Sequence, residues 1–134
     1  MTDDESAVRD VNEAFYAAFR SRDYAAMQQV WVQRGAALCV HPGWDVLRGR
    51  DVVLESWRRI LSNPGAPKIA CSNVRVTVRG DAAVVTCREG IAGQPAGIVA
   101  TNVFVRRATG WRMMHHHAGP MAPSEQPPPD ELLN

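Results

Sequence analysis

The sequence predicts a single α+β domain in which helices pack on one face of an antiparallel sheet. Apolar residues recur at helical spacing in the first half of the chain, whereas apolar and polar residues alternate from Lys68 onward. Helices followed by a meander of strands are typical of the α+β class. The length of 134 residues fits one domain, and no internal repeat is present.

Three helices are predicted in the first half of the chain. The first carries an apolar stripe at three- and four-residue steps, formed by Val8, Val11, Phe15 and Phe19. Acidic residues at positions 3–5 suit its N-terminus. Asp23 is a typical N-cap for a second helix, from Tyr24 to about Trp31. A third helix is predicted from about Asp51 to Leu61. It is expected to end there because Pro64 disfavours helix in the residue before it.

Strands are predicted around and after the third helix. A short strand from Ala36 to His41 runs into a turn at Pro42–Trp44. The later strands are Val74–Val78, Ala83–Glu89, Ile98–Arg107 and Trp111–Ala118. Their short connections predict an antiparallel meander. The proline-rich stretch from Pro120 to Asn134 is predicted to be a disordered tail, which leaves residues 1–119 as the folded domain.

Composition excludes several classes of partner. The net charge is +1 and no basic or acidic block is present, so neither nucleic acid nor an anionic membrane surface is an expected partner. No apolar run is long enough to cross a bilayer, and the acidic N-terminus lacks the features of a secretory signal. The three cysteines are widely spaced without a C-x-x-C motif, which indicates free thiols in the cytoplasm.

Several segments, taken in order, carry a family resemblance. They are Phe15–Asp23, Cys39–Trp44, Leu47–Asp51, Thr101–Phe104 and Gly110–His117. Together they resemble the SnoaL-like branch of the nuclear transport factor 2-like superfamily, over residues 5–120. The ending, Trp111–Pro120, also resembles the association domain of calmodulin-dependent kinase II.

The resemblance implies a cone in which a curved antiparallel sheet wraps round three N-terminal helices, with a cavity at the wide end. It also implies a homodimer formed through the outer face of the sheet. The superfamily includes steroid isomerases, polyketide cyclases, dehydratases, epoxide hydrolases and assembly modules, so the fold does not specify the activity.

Strand alternation predicts which side chains face the cavity. Matched to the steroid isomerase pattern, it places Asn102, His115 and His117 on the concave side and His116 on the outer side. The outer face then carries Val99, Thr101, Val103 and Val105, which are apolar enough to be buried in a dimer. On the preceding strand, the preferred parity turns Val85, Cys87 and Glu89 inward. The opposite parity would bring Arg88 into the cavity and favour a carboxylate ligand.

The same match implies that the steroid isomerase machinery is substituted. His41 takes the place of the general-base carboxylate, Asn102 lies near the place of the protonated acid, and Phe15 replaces the tyrosine. A different chemistry is then predicted, in which His41 accepts a proton, Asn102 holds a substrate carbonyl, and His115 or His117 reprotonates the product. The predicted substrate-contacting residues are Tyr16, Trp44, Trp57, Cys87, Phe104 and Met113.

Two classes of function remain open from the sequence. One is an isomerase, cyclase or dehydratase that acts next to a carbonyl without a cofactor. The other is a non-catalytic ligand-binding or dimerisation module whose pocket holds a small apolar, carbonyl-bearing or carboxylate-bearing ligand. The histidines also have a purely structural interpretation, with His41 bonding backbone at a strand end and His115 and His117 as polar core residues.

A metal site is weighed and not predicted. The imidazoles of His41, His115 and His117, with Glu89, would suit zinc or iron(II). However, residues at positions i and i+2 of a strand point in parallel rather than converging, and the cavity face of Ile98–Phe104 carries no carboxylate.

Overall fold

The computed structural model describes residues 1–122, in which three helices pack against a curved sheet of six strands. The elements are α1 Asp3–Ser21, α2 Tyr24–Val30, β1 Leu38–Val40, β2 Leu47–Arg48, α3 Arg50–Ser62, β3 Ile69–Arg79, β4 Ala82–Ile91, β5 Ile98–Arg107 and β6 Gly110–Pro120. The strand order is β2-β1-β6-β5-β4-β3, and all neighbours are antiparallel except β1 and β6. The predicted α+β class is confirmed.

Local capping explains where the first two helices begin and end. The Thr2 hydroxyl accepts a hydrogen bond from the Glu5 amide, and Arg22 closes α1 in the left-handed conformation with φ of 58°. As predicted, Asp23 caps α2 by accepting a hydrogen bond from the Ala26 amide at 3.0 Å. These caps set α1 and α2 as a hairpin.

Aromatic side chains fill the space between the helices and the sheet. Phe15 of α1 lies at the centre, with its ring centroid 5.2 Å from that of Trp57 and 6.5 Å from that of Trp31. All three rings are fully buried. Burial of a large apolar side chain stabilises the fold by about 1.5–3 kcal/mol, so this cluster anchors α1, α2 and α3 to one another.

The sheet differs from the prediction at its ends. The two-residue strand β2 is not predicted, and β3 begins at Ile69 rather than at Val74. Strand β6 reaches Pro120, and the Met121 amide donates to the Gly97 carbonyl, so the sheet extends past the predicted domain boundary at residue 119. Residues 123–134, on which most of the predicted disordered tail falls, lie outside the described residues. No helix within residues 1–122 is long and apolar enough to span a membrane.

A β-bulge in β6 overturns the predicted orientation of the three histidines. Val103 pairs with His115 but the next residue, Phe104, pairs with Met113, so Met114 has no counterpart on β5. An extra residue in one strand reverses its inside–outside alternation beyond that point. His116 is therefore buried, His117 is exposed and His115 is half-buried. The prediction that His115 and His117 face the cavity is wrong, as is the outward placement of His116.

Strands β4 and β5 keep the predicted parity. Val85, Cys87 and Glu89 are buried on the inner side of β4, and Arg88 has the opposite orientation. Asn102 and Phe104 are buried on the inner side of β5, while Val99 is exposed on the other side. The concave face is thus built from β4, β5 and the part of β6 beyond the bulge.

Candidate functional site

One cavity opens between the concave face of the sheet and helices α1 and α3. Its volume is about 230 Å³, and its lining is Phe19, His41, Pro42, Trp44, Trp57, Ile60, Pro67, Ile69, Glu89, Ile98 and His116. Most of these side chains are apolar. The titratable groups are the carboxyl of Glu89 and the imidazoles of His41 and His116, contributed by three different parts of the chain.

His41 follows the short strand β1 and is held by helix α3. Its Nε2 lies 2.9 Å from the Ser56 hydroxyl oxygen, which itself lies 2.6 Å from the Val53 carbonyl oxygen. The single hydroxyl proton goes to the carbonyl, so His41 Nε2–H donates to Ser56 and Nδ1 is the unprotonated nitrogen. Burial lowers the pKa of His41 to about 4, which keeps the ring neutral at pH 7.

His116 is held by a chain of side-chain amides behind it. Its Nδ1–H donates to Asn102 Oδ1 at 2.6 Å, and Asn102 Nδ2 donates to Asn12 Oδ1 at 2.9 Å. Because this chain fixes the tautomer, Nε2 of the neutral ring carries the free lone pair. Burial, together with the neighbouring His41, lowers the pKa of His116 to about 3.

Glu89 faces His116 across the cavity wall. Its Oε2 accepts a hydrogen bond from the Tyr16 hydroxyl at 2.6 Å and lies 3.8 Å from His116 Nε2. Burial raises the pKa of the Glu89 carboxyl, and the hydrogen bond from Tyr16 opposes this to a smaller extent. Burial and the adjacent Glu89 raise the pKa of Tyr16, so the phenol remains a hydrogen-bond donor.

The predicted site residues fall into three groups. His41, Trp44 and Trp57 line the cavity. Asn102, Tyr16 and Cys87 are buried directly behind it, where the Tyr16 hydroxyl contacts both the Cys87 sulfur at 3.3 Å and the Asn102 amide nitrogen at 3.3 Å. The Asn102 amide is therefore engaged within the protein rather than presented to the cavity.

The remaining four predicted residues lie away from the cavity. Phe104 and Met113 are fully buried in the core. His115 and His117 lie together on the outer face of the sheet, with ring centroids 6.1 Å apart. Since they are directed away from His41, the metal site that was weighed from the sequence does not assemble. Within residues 1–122 no group of three or more His, Cys, Asp or Glu side chains is placed to hold a metal ion.

Sequence reasoning missed the central role of His116 and Glu89 and the supporting role of Asn12 and Ser56. The bulge that turns His116 inward cannot be predicted from the alternation of residue types in β6. Two signals were readable: Glu89 is the one carboxylate on the inward parity of β4, and Asn12 interrupts the apolar stripe between Val8 and Phe15. A polar residue in an apolar stripe needs a buried partner.

The architecture defines the class. Helices packed on a curved, unclosed sheet are the arrangement of nuclear transport factor 2-like proteins. The chain belongs to the SnoaL-like domain family, whose sequence pattern matches residues 8–123. This confirms the resemblance found in the sequence.

Two solved structures illustrate the range of this class. The chain is 36% identical to a candidate dehydratase of the nuclear transport factor 2-like family from Streptomyces avermitilis, with a TM-score of 0.81 over 90% of this chain and 97% of the other. It is 34% identical to a candidate calcium/calmodulin-dependent protein kinase type II association domain from Thiobacillus denitrificans, with a TM-score of 0.75 over 85% and 94% of the two chains.

A curated relative shows the same domain within a longer protein. The chain is 27% identical over 120 residues to the F-box protein SKIP8 of Arabidopsis thaliana, which covers 90% of this chain. The match spans 52% of the plant protein, so this chain corresponds to about half the length of that relative.

Proposed function

We propose that the protein is a cofactor-independent enzyme that moves a proton next to a carbonyl group of a small molecule, with dehydration or isomerisation as the outcome. One observation carries the proposal: the Glu89 carboxyl and the unprotonated Nε2 of His116 lie 3.8 Å apart at the wall of a small apolar cavity. The similarity to a candidate dehydratase at 36% identity supports it.

The resting protonation states of this pair leave one acid and one base at the cavity wall. In the resting state burial favours the neutral forms of both groups, as the raised pKa of Glu89 and the lowered pKa of His116 indicate. In a dehydration, His116 Nε2 takes the proton from the carbon beside the carbonyl while Glu89 gives its proton to the leaving β-hydroxyl, which departs as water. The C–H electron pair becomes the new C=C bond.

The charges formed in this step stabilise each other. The glutamate becomes a carboxylate just as the imidazole becomes an imidazolium, and opposite charges at this distance favour both ionised forms. Return of the proton from His116 Nε2 to Glu89 Oε2 restores the resting state. Tyr16 holds the carboxyl and Asn102 holds the ring, so both act as positioning residues.

His41 remains a second candidate for the general base. Its neutral ring lies on the same cavity, with its centroid 6.5 Å from that of His116, and it has an unprotonated Nδ1. Within residues 1–122 no carboxylate is paired with His41, whereas His116 has Glu89 at 3.8 Å. The geometry therefore favours His116 as the base and His41 as the group that accepts a hydrogen bond from a substrate hydroxyl.

Cavity size and lining define the expected substrate class. Pockets for drug-sized ligands measure about 300–1,000 Å³, and this cavity measures about 230 Å³. Its walls include the rings of Trp44, Trp57 and Phe19. These features favour a small cyclic or β-hydroxy ketone.

The test follows exchange and elimination in a panel of small cyclic ketones and β-hydroxy ketones in D₂O by NMR. We expect the wild type to accelerate deuterium uptake beside the carbonyl or loss of water, and Glu89→Gln to reduce the rate by about 100-fold or more. His117→Gln, next to His116 on β6 but outside the cavity lining, is the control and keeps the wild-type rate. Equal rates in wild type and Glu89→Gln would contradict the assignment.

A second candidate function is a non-catalytic ligand-binding or dimerisation module. Exposed valines on the outer sheet face favour it, since Val84 is 41% and Val99 is 44% exposed. So does the 34% identity to a candidate kinase association domain. In this case wild type and Glu89→Gln turn over no ketone in the panel, and small ketones or carboxylates bind without reaction.

The three free cysteines support the cytoplasmic location proposed from the sequence.

A further inference from the structure

A second concavity, separate from the cavity described above, lies where the loop after α2 meets the β5–β6 turn. It is an open groove of about 460 Å³ lined by residues 33–35, residues 107–109 and Arg112. Three of these residues are arginines, and none is acidic. The groove lies at the start of β6, whereas His116 lies four residues further along; at about 3.3 Å per residue the two are more than 10 Å apart.

One of the three guanidinium groups is held in place by hydrogen bonds, and a second lies against the glycine of the loop. Arg112 donates from Nη1 to the Trp111 carbonyl at 3.0 Å and from Nη2 to the Thr109 hydroxyl at 3.1 Å. Arg107 Nη2 lies 3.4 Å from the point that a Cβ on Gly35 would occupy. Gly35 has a φ of +91°, a conformation that residues with a side chain rarely adopt, which accounts for glycine at this position.

The charges in the groove are not neutralised within the described part of the chain. Arg106, next in sequence to Arg107, pairs with Asp4 at 2.8 Å and with Asp81 at 3.1 Å. Among residues 1–122, Arg34, Arg107 and Arg112 form no ion pair with a carboxylate. Like charges gathered in one concavity repel each other, and a bound anion relieves that repulsion.

We propose that this groove binds a phosphate group carried by a small molecule. Guanidinium groups form paired, charge-assisted hydrogen bonds to phosphate oxygens, and a phosphate has enough oxygens to engage more than one guanidinium. Arg112 forms the fixed part of the site, and the exposed Arg34 and Arg107 contact the ligand from the loop and from the β5–β6 turn. The phosphate belongs either to a soluble metabolite or to a lipid headgroup, which share this chemistry.

The test is an NMR titration of the full chain with inorganic pyrophosphate at low salt. We expect the backbone amides of Gly35, Thr109 and Gly110 to shift, and binding to weaken as salt is raised. The Arg34→Gln/Arg107→Gln double variant should bind at least about tenfold more weakly. Arg79→Gln removes the same kind of charge from β3, on the far edge of the sheet, and should bind as the wild type does.

Three results would overturn the proposal. The first is no shift at the groove at millimolar pyrophosphate, and the second is equal weakening by Arg79→Gln. The third is a hexaglutamate peptide binding in the groove without competition from pyrophosphate. The amide spectrum of each variant shows directly whether the fold is retained, and the substituted side chains of Arg34 and Arg107 are exposed.

Two further arms identify the source of the phosphate. One measures binding of glycerol 3-phosphate, and the other measures sedimentation with phosphatidylcholine vesicles containing phosphatidylinositol 4-phosphate. Binding of the soluble ester alone supports a metabolite site, whereas sedimentation that the double variant abolishes supports a headgroup site. Absence of both, with pyrophosphate binding lost as well, refutes the site.

Discussion

His116 and His117 are adjacent on β6, yet they lie in opposite environments. His116 is 1% exposed, its Nδ1–H is bonded to Asn102, and its pKa is lowered to about 3. His117 is exposed on the outer face, beside His115. Adjacent residues of a strand face opposite sides of the sheet, and the bulge at Met114 decides which of the two imidazoles enters the core.

The two faces of the sheet differ in the same way as these two residues. On the concave face the polar side chains are linked in a chain, from Asn12 through Asn102 to His116, with Tyr16 bonded to Glu89. On the outer face Val84 and Val99 are exposed to solvent. Buried polar groups are costly unless they are hydrogen-bonded, and this chain of contacts is the basis of the proposed catalytic role. The exposed valines of the outer face are the basis of the proposed association.

The largest expected effect comes from exchanging each histidine for alanine. His116→Ala removes a ring packed 4.8 Å from Phe15, measured between centroids, and leaves Asn102 Oδ1 without its donor. We expect a loss of about 3–4 kcal/mol in the free energy of unfolding, measured by urea denaturation. His117→Ala should change it by no more than about 0.5 kcal/mol. Similar losses in both variants would mean that the two environments are not as different as the structure shows.

The concave site was only partly predictable from sequence, and the reason is local. The helices and inward residues such as Phe15 and Trp57 follow from periodicity, because burial of an apolar stripe dominates their placement. The inward placement of Asn102 follows from strand alternation together with the family resemblance. The inward parity of Glu89 was also anticipated. The parity of His116 was not, because an inserted residue in a strand depends on pairing with β5, and the sequence of β6 alone carries no signal for that pairing.

The short strand β2 and the tautomers of the histidines could not be predicted from the sequence either, because both depend on contacts between different parts of the fold. β2 is a strand because Leu47 and Arg48 pair with β1, and two residues carry no periodicity of their own. The tautomer of His41 follows from its contact with Ser56, which lies fifteen positions later on α3 and donates its own hydroxyl proton to the Val53 carbonyl. Such contacts are set by the packing of α3 against β1.

A second expectation concerns how the buried imidazole of His41 on the concave face makes the free energy of unfolding depend on pH. Its folded-state pKa of about 4 lies below the ordinary value of 6.5, so the unfolded chain takes up the proton first as pH falls. The stability due to the neutral buried ring is complete above pH 6.5 and is lost as pH falls from 6.5 towards 4. The pKa of Glu89 is raised, so its effect on stability is opposite to that of His41. The stability that its neutral carboxyl contributes is lost as pH rises through its folded-state pKa.

Comparison with His41→Gln separates the imidazole from the carboxyl. The glutamine amide can still donate to Ser56 but does not titrate. We expect the stability advantage of the wild type over this variant to shrink by up to about 3 kcal/mol between pH 7 and pH 4, measured by urea denaturation at each pH. An advantage that stays constant over this range would show that His41 is not buried as a neutral ring.

A third expectation tests the outer face. If the proposed homodimer forms through this face, Val99→Lys places a charge in its interface, and the dissociation constant should rise at least about tenfold, or about 1.4 kcal/mol. Val52→Lys is the matched control, because Val52 is 51% exposed on α3 and Val99 is 44% exposed on β5. Light scattering over a concentration series gives both constants. Equal behaviour of the two variants would assign association, if any, to another surface.

The smallest expected effect concerns the contact that orients Glu89 on the concave face. Tyr16→Phe removes the 2.6 Å hydrogen bond to Glu89 Oε2 while keeping the ring that packs against Phe15. Because that hydrogen bond lowers the pKa of Glu89, we expect the pKa of the carboxyl to rise further in the variant, measured from the carboxyl carbon shift of Glu89 against pH. The free energy of unfolding should fall by about 1 kcal/mol. Tyr24→Phe, outside the cavity lining, should leave the Glu89 titration unchanged; a shift of equal size in both variants would show that Tyr16 does not hold the carboxyl.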